Sequence, residues 1–252
     1  MRRLLVLGGT GEARELAGQL AGQPGLHVVS ALAGRTEAPR LPEGEVRIGG
    51  FGGAEGLAGF LRADRIDVVL DATHPFAARI TASALAAARE LDLPIAVLRR
   101  PGWPAGPGDH WHRVGSLSAA AEALPSLGER VFLSVGRQGI GAFAGLAGHW
   151  FLARCVHPPH PPVPERLDLL LDRGPYTVDG ELELLRRNEV QVLVSRDSGG
   201  GQTSAKLVAA RELGLPVVLI DRPDPPEDVP ILPTIDAVLD WLTSTLSRGP
   251  AR

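Results

Sequence analysis

Short runs of β-branched residues and leucine alternate along the chain with longer segments rich in alanine and leucine. The short apolar runs fit strands buried on both faces and the longer ones fit helices, so the alternation predicts βαβ units built around parallel sheets. Strands are expected over about Arg3–Leu7, His27–Leu32, Val46–Ile48, Asp67–Leu70 and Ile95–Leu98. The helices between them are expected over about Gly11–Leu20, Ala54–Arg62 and Phe76–Leu91. Pro94 opens its strand acceptably, because its missing N–H costs no ladder bond there. From Arg100 to Asp109 the chain is rich in Pro and Gly and reads as a loop or linker.

The alternation then restarts. It predicts helix Ser116–Leu124, strands Val131–Val135 and His149–Val156, helix Val178–Arg187, strand Gln191–Ser195, helix Thr203–Leu213, strand Val217–Ile220 and helix Ile235–Leu246. The proline cluster His157–Pro164 excludes regular structure. The expected fold class is therefore α/β, with two Rossmann-like domains of parallel sheet flanked by helices, residues 1–115 and 116–252. The repetition lies in the architecture; the residues themselves show no convincing repeat.

Composition narrows the function. At 252 residues, with 44% hydrophobic and 22% charged side chains, the chain is long enough for a sizeable core. A formal net charge of −3 argues against general nucleic-acid binding. The single cysteine, Cys155, excludes an internal disulfide or a multi-cysteine metal site, and no metal is expected. The apolar start ends at Gly8, too short for a signal core, and no later run is long enough to cross a bilayer. A cytoplasmic location without membrane attachment is the expectation. Lys206 is the only lysine; every other basic side chain is arginine. An arginine-favouring genome accounts for that as well as a position needing a compact ammonium does.

Open α/β sheets bind ligands beyond the carboxyl ends of their strands. After the first strand, Gly8-Gly9-Thr10-Gly11-Glu12 opens a helix, where backbone N–H groups and the helix dipole favour a phosphate. The match to G-x-G-x-x-G is imperfect, and a tight turn is the plainer alternative. After the second strand no acid awaits a ribose hydroxyl; Gly34-Arg35-Thr36 stands there instead, which suits the extra phosphate of NADP. Gly49-Gly50-Phe51-Gly52-Gly53 follows the third strand. Asp71-Ala72-Thr73-His74-Pro75-Phe76 follows the fourth, with Asp71 or Thr73 as a possible helix cap and His74 as a cofactor contact or proton relay. The expected cofactor contacts are Gly9, Thr10, Gly11, Glu12, Arg35, Thr36, Gly52, Thr73 and His74.

In the second half, Arg196-Asp197-Ser198-Gly199-Gly200 precedes the helix bearing Lys206 and resembles an anion cradle, without the G-K-[ST] order of a P-loop. Arg137, Arg173, Arg196 and Arg222 fall at strand ends or turns, and guanidinium forks pair well with carboxylates. Each alone reads equally as a solvated charge; together they suggest a polycarboxylate pocket. The expected substrate contacts are Arg137, Arg173, Tyr176, Arg196, Ser198, Gly199 and Arg222.

These elements, with Arg100-Pro101-Gly102-Trp103 and Arg173-Gly174-Pro175-Tyr176, run in order along nearly the whole chain and resemble the precorrin-6A reductase family. Asp71-Ala72-Thr73-His74-Pro75-Phe76-Ala77 is the most specific piece. Arg196 departs from the likeness, which leads one to expect lysine there, and counts against any role requiring a neutral amine at that position. The resemblance implies NADPH as hydride donor and a tetrapyrrole macrocycle, precorrin-6A or its cobalt form, as acceptor. It also implies that cofactor occupies the amino-terminal half and substrate a cleft between the halves. Lys206, Asp197 and His74 are the candidates for the protonation step. A short-chain reductase fits poorly, because Tyr176 and Lys206 are too far apart for a Tyr-x-x-x-Lys pair. An NADP-sensing regulator without turnover leaves the second half unused, and motifs alone leave a sugar-nucleotide enzyme open.

Overall fold

The computed structural model describes residues 1–32 and 41–247. The chain divides into two compact units, Met1–Arg100 with Pro223–Arg252, and Pro101–Arg222. The sequence places the division at residues 115 and 116, and this differs: the chain enters the second unit at Pro101, and its carboxyl-terminal segment returns to the first.

The first unit holds a six-stranded parallel sheet. Its strands are β1 (Arg2–Leu7), β2 (Leu26–Leu32), β3 (Glu45–Ile48), β4 (Val68–Asp71), β5 (Ile95–Leu98) and β12 (Ile231–Leu232), in the order β12-β5-β4-β1-β2-β3. β1 pairs in parallel with β2 on one side and β4 on the other. The doubly wound order 3-2-1-4-5-6 is the dinucleotide-binding arrangement, and its strand order reverses between β1 and β4.

Alternation along the buried strands sorts the core into two layers. Leu5, Leu7, Val29 and Val69 face helices α2 (Ala54–Ala63) and α3 (Ala78–Glu90). Leu4, Val6, Val28, Val68 and Leu70 face α1 (Gly11–Ala21) and α7 (Ile235–Ser247), the latter through Val238 and Leu242. This apolar stripe of α7 explains why the last segment belongs to the first unit.

The second unit repeats the plan. Its strands are β6 (His110–Val114), β7 (Arg130–Ser134), β8 (Trp150–Cys155), β9 (Leu167–Leu171), β10 (Val192–Arg196) and β11 (Pro216–Ile220). All pair in parallel, in the order β6-β11-β10-β7-β8-β9. Helices α5 (Val178–Arg187) and α6 (Ala205–Glu212) cover one face through Leu182, Leu185, Leu207 and Ala210. Helix α4 (Leu117–Ala123) packs on β11. Here the strand order reverses between β7 and β10. Among the described residues no helix is long and apolar enough to cross a membrane, and no cluster of three His, Cys, Asp or Glu side chains is placed to hold a metal.

If α7 is part of the first unit's core, Leu242→Ala, which empties a nearly fully buried site, costs about 2–5 kcal/mol. Native-state hydrogen exchange should show the loss at the amides of β1 and β4. Loosening of β7 and β10 alone would contradict the assignment.

Candidate functional site

The first site lies where β1 and β4 part. Thr10 is the N-cap of α1: its Oγ1 accepts the Ala13 N–H at 3.0 Å and donates to the Ala72 carbonyl at 2.9 Å. One hydroxyl therefore ends a helix and ties the loop after β1 to the loop after β4. The first-turn N–H groups of a helix lack intrahelical acceptors, so Gly11 and Glu12 present theirs at this loop. Gly9 adopts φ +124°, and a side chain built there meets nothing within 4 Å. The turn thus needs glycine for its backbone and leaves open room beside the helix end, as a phosphate cradle requires. Glu12 would oppose an anion, but Arg100 pairs with it at 2.7 Å. Thr10, Glu12, Ala72, Thr73, Pro75 and Arg100 line a narrow cleft at this point.

Asp71 holds the second loop. Buried at the end of β4, it accepts from Thr73 N (2.9 Å), Thr73 Oγ1 (2.6 Å) and Thr81 Oγ1 of α3 (2.5 Å). Neither Asp71 nor Thr73 caps α3, whose N-cap is Ala77. The helix begins later than Phe76 because the chain turns there, with Ala77 N–H donating to the His74 carbonyl. His74 Nδ1 accepts the Phe76 N–H at 3.3 Å, so a neutral ring carries its proton on Nε2. His74 and Thr73 border an open depression of about 190 Å³ that continues past Arg99 to Pro223 and Asp224. Gly52 sits exposed in the loop between β3 and α2. Arg35 and Thr36 lie outside the described residues.

The second site is the carboxyl edge of the second sheet. Each of its six strands carries an arginine at or just past that end: Arg113 on β6, Arg137 after β7, Arg154 on β8, Arg173 after β9, Arg196 on β10 and Arg222 after β11. Arg113 bonds the buried carboxylate of Asp197 at 2.9 Å and also pairs with Asp221. Arg222 donates to the Asp197 carbonyl (2.7 Å) and the Pro101 carbonyl (3.0 Å). Arg154 pairs with Glu181 at 2.7 Å. These three act as internal braces. Burial lowers the pKa of Arg196 and raises that of the Tyr176 phenol, which Arg154 opposes from 3.6 Å over the ring.

The braces fix the Asp197–Gly200 loop. Trp103 donates its backbone N–H to Asp197 Oδ1 (3.1 Å) and its indole N–H to the Gly200 carbonyl (2.8 Å). Gly199 takes φ +63°, and a Cβ there would stand 2.1 Å from Arg222 Nη2 and 2.2 Å from the Pro101 carbonyl oxygen. Ser198 Oγ meets Thr203 Oγ1 at 3.3 Å. Lys206, expected in the helix that follows an anion cradle, is 3% exposed beneath the loop, with Nζ donating to the Thr203 carbonyl at 2.9 Å. Burial pulls its pKa down to about 7; the Arg154 charge adds to the fall and Glu181 opposes it.

Sequence reasoning missed Arg113, Arg154 and Glu181. Val178, Glu181, Leu182 and Leu185 share one helical stripe, so an acid standing among core positions was the available signal for Glu181.

Together these features define a class: a doubly wound α/β protein with a phosphate-type turn on one parallel sheet and an arginine-lined edge on another. The chain belongs to the family described as precorrin-6x reductase CbiJ/CobK, whose model matches residues 3–243. It is 53% identical to a precorrin-6A reductase of Rhodococcus erythropolis over 98% of this chain and all of that one. It is 30% identical to a cobalt-precorrin-6A reductase of Methanothermobacter thermautotrophicus, covering 88% of this chain and 76% of that one. A solved structure of a CobK precorrin-6A reductase superposes with a TM-score of 0.91 at 45% identity, over 97% of both chains.

Thr10→Val keeps the shape of the side chain but removes the cap and the donor to Ala72, and is expected to cost about 1–3 kcal/mol. Thr10→Ser should retain most of that stability. Equal denaturation midpoints for the two variants would contradict the tie between the loops.

Proposed function

We propose that the chain catalyses NADPH-dependent reduction of one ring carbon–carbon double bond of precorrin-6A, or of its cobalt form, to the dihydro product in corrin biosynthesis. The observation that carries this reading is the similarity to a precorrin-6A reductase over 98% of this chain and all of that one. The metal-free substrate is favoured, because the relative named for it is much the more similar of the two described.

Bound NADPH supplies the hydride; a proton goes to the neighbouring carbon. The first unit offers the cofactor site: Gly9, Thr10, Gly11 and Glu12 around the phosphates, with Thr73 and His74 across the switch point. Gly52 belongs to the adjacent glycine loop. The open room at Gly9 and the pairing of Glu12 by Arg100 fit a bound phosphate. Arg35 and Thr36 are assigned to the 2′-phosphate on their place after β2.

The second unit offers the substrate edge. Arg137, Arg173 and Arg196 are assigned to acetate and propionate arms, beside Tyr176, Ser198 and Gly199. Arg113 and Arg222 hold the loop that presents them. Of the three protonation candidates, Asp197 is occupied by donors and Lys206 is buried, whereas His74 borders open space with a proton on Nε2. His74 is therefore assigned to proton delivery as the imidazolium, whose Nδ1 proton displaces the Phe76 N–H contact and which returns to the neutral ring on giving up its Nε2 proton, with Asp197 and Lys206 supporting the substrate loop. Positioning of the nicotinamide against the acceptor carbon supplies most of the catalysis.

In the decisive experiment, NADPH and NADH are titrated against the protein and NADPH oxidation is followed on adding precorrin-6A. NADPH should bind roughly tenfold more tightly or better, the worth of a charged hydrogen bond, and Arg35→Ala should erase the difference. Turnover should follow substrate addition and fall in His74→Ala. Equal affinity for the two cofactors would undo the NADP assignment, and binding without oxidation would undo the reductase.

A further inference from the structure

A cluster of buried charge lies below the substrate edge. Glu181 in the first turn of α5 is 2% exposed, Arg154 on β8 8%, and Lys206 in the first turn of α6 3%. Arg154 Nη2 donates to Glu181 Oε1, and its guanidinium stands 3.6 Å from the Tyr176 ring centre and 5.0 Å from that of Phe132. Two rings and an ion pair thus fix it in place. The second carboxylate oxygen, Glu181 Oε2, is buried and accepts nothing. An ammonium has three N–H donors. Lys206 Nζ uses one on the Thr203 carbonyl and lies 5.2 Å from the Trp103 ring centre. The interior therefore holds two basic groups, one acid, a spare acceptor and spare donors, where charges act on one another with little screening.

We propose that the Arg154–Glu181 ion pair is a positioning element that sets whether the Lys206 side chain is an ammonium or an amine, and through it how firmly the Ser198–Thr203 loop holds an anionic substrate. The groups acting on Lys206 are few. Burial itself disfavours the ammonium most; Arg154 on β8 adds to that, and Glu181 on α5, the helix packed against α6, opposes it. The Trp103 ring supplies a π face, and the Tyr176 phenol faces Arg154. The ammonium grips Thr203, the last residue of the short 3₁₀ turn Gly201–Thr203, and Thr203 in turn meets Ser198. A protonated Lys206 adds a positive charge under the arginine edge and holds the Thr203 carbonyl by a charge-assisted bond; a neutral amine keeps only a weaker N–H bond and no charge. The control of the Lys206 charge rests on this buried cluster and does not depend on the substrate. The substrate half rests on the reading of the loop given above.

The test exploits composition. Lys206 is the only lysine in the chain, so protein made with carbon-13 at lysine Cε gives a single side-chain lysine signal, followed by NMR against pH without substrate. The parent signal should titrate near neutrality, well below the ordinary lysine value of 10.5. Its midpoint should fall further in Glu181→Gln and rise in Arg154→Gln. KM for the tetrapyrrole should climb as pH passes each protein's own midpoint, with kcat little changed. Removing one partner of a buried ion pair is strongly destabilising, so Glu181→Asp, which keeps the charge but withdraws it, is measured too; its midpoint should lie between those of the parent and Glu181→Gln. Should both glutamine variants fail to fold, the parent and Glu181→Asp decide alone. A parent midpoint at the ordinary value, or one midpoint shared by every folded variant, overturns the control of Lys206. A signal that moves as expected beside a KM that ignores it overturns the loop's part in substrate binding and leaves the cofactor site untouched.

Discussion

Everything in the first unit depends on β1 being paired in parallel on both sides. Because β2 and β4 flank it in the same direction, the connections from β1 and β4 leave on opposite faces of the sheet: α1 packs on one layer and α3 on the other. The loops at the two strand ends must part, and a concave opening results. Thr10 keeps that opening from spreading by bonding the Ala72 carbonyl across it. The same constraint acts in the second unit, where β7 and β10 part and the Asp197–Gly200 loop rises from the reversal.

The two edges solve different electrostatic problems. In the first, a helix end with a glycine turn offers dipolar N–H groups, and the nearby acid is neutralised by Arg100. In the second, full charges are gathered, one arginine to each strand. Crowding six guanidinium groups on one edge is tolerable because Asp197, Asp221 and Glu181 pair with some of them. The braced arginines lend shape and field to that edge.

The interior of both sheets was legible in the sequence, as was the edge strand β3; the other three edges were not. Strand β5 and helix α5 fall where the pattern puts them, because strands and helices buried on the core side carry continuous or periodic apolar residues. The three strands without a sequence signal, β6, β9 and β12, are all sheet edges. An edge strand buries less, so His110–Val114 carries two histidines and an arginine, and Leu167–Leu171 leaves Leu169 and Leu171 exposed. The strand-end glycine loops were legible because φ angles and open space leave a mark on residue choice. The pairings Arg113–Asp197 and Arg154–Glu181 join residues far apart in the chain; such partnerships appear only once the strands are in register. Lys206 was visible as an oddity of composition, but its burial was not.

The central claim is that the switch point between β1 and β4 receives a phosphorylated nicotinamide carrier. Hydrogen exchange with and without NADPH tests it directly. The account predicts slowed exchange confined chiefly to the backbone of Gly8–Ala13 and Ala72–Ala77. Protection confined to the second unit, or none at saturating NADPH, would contradict it.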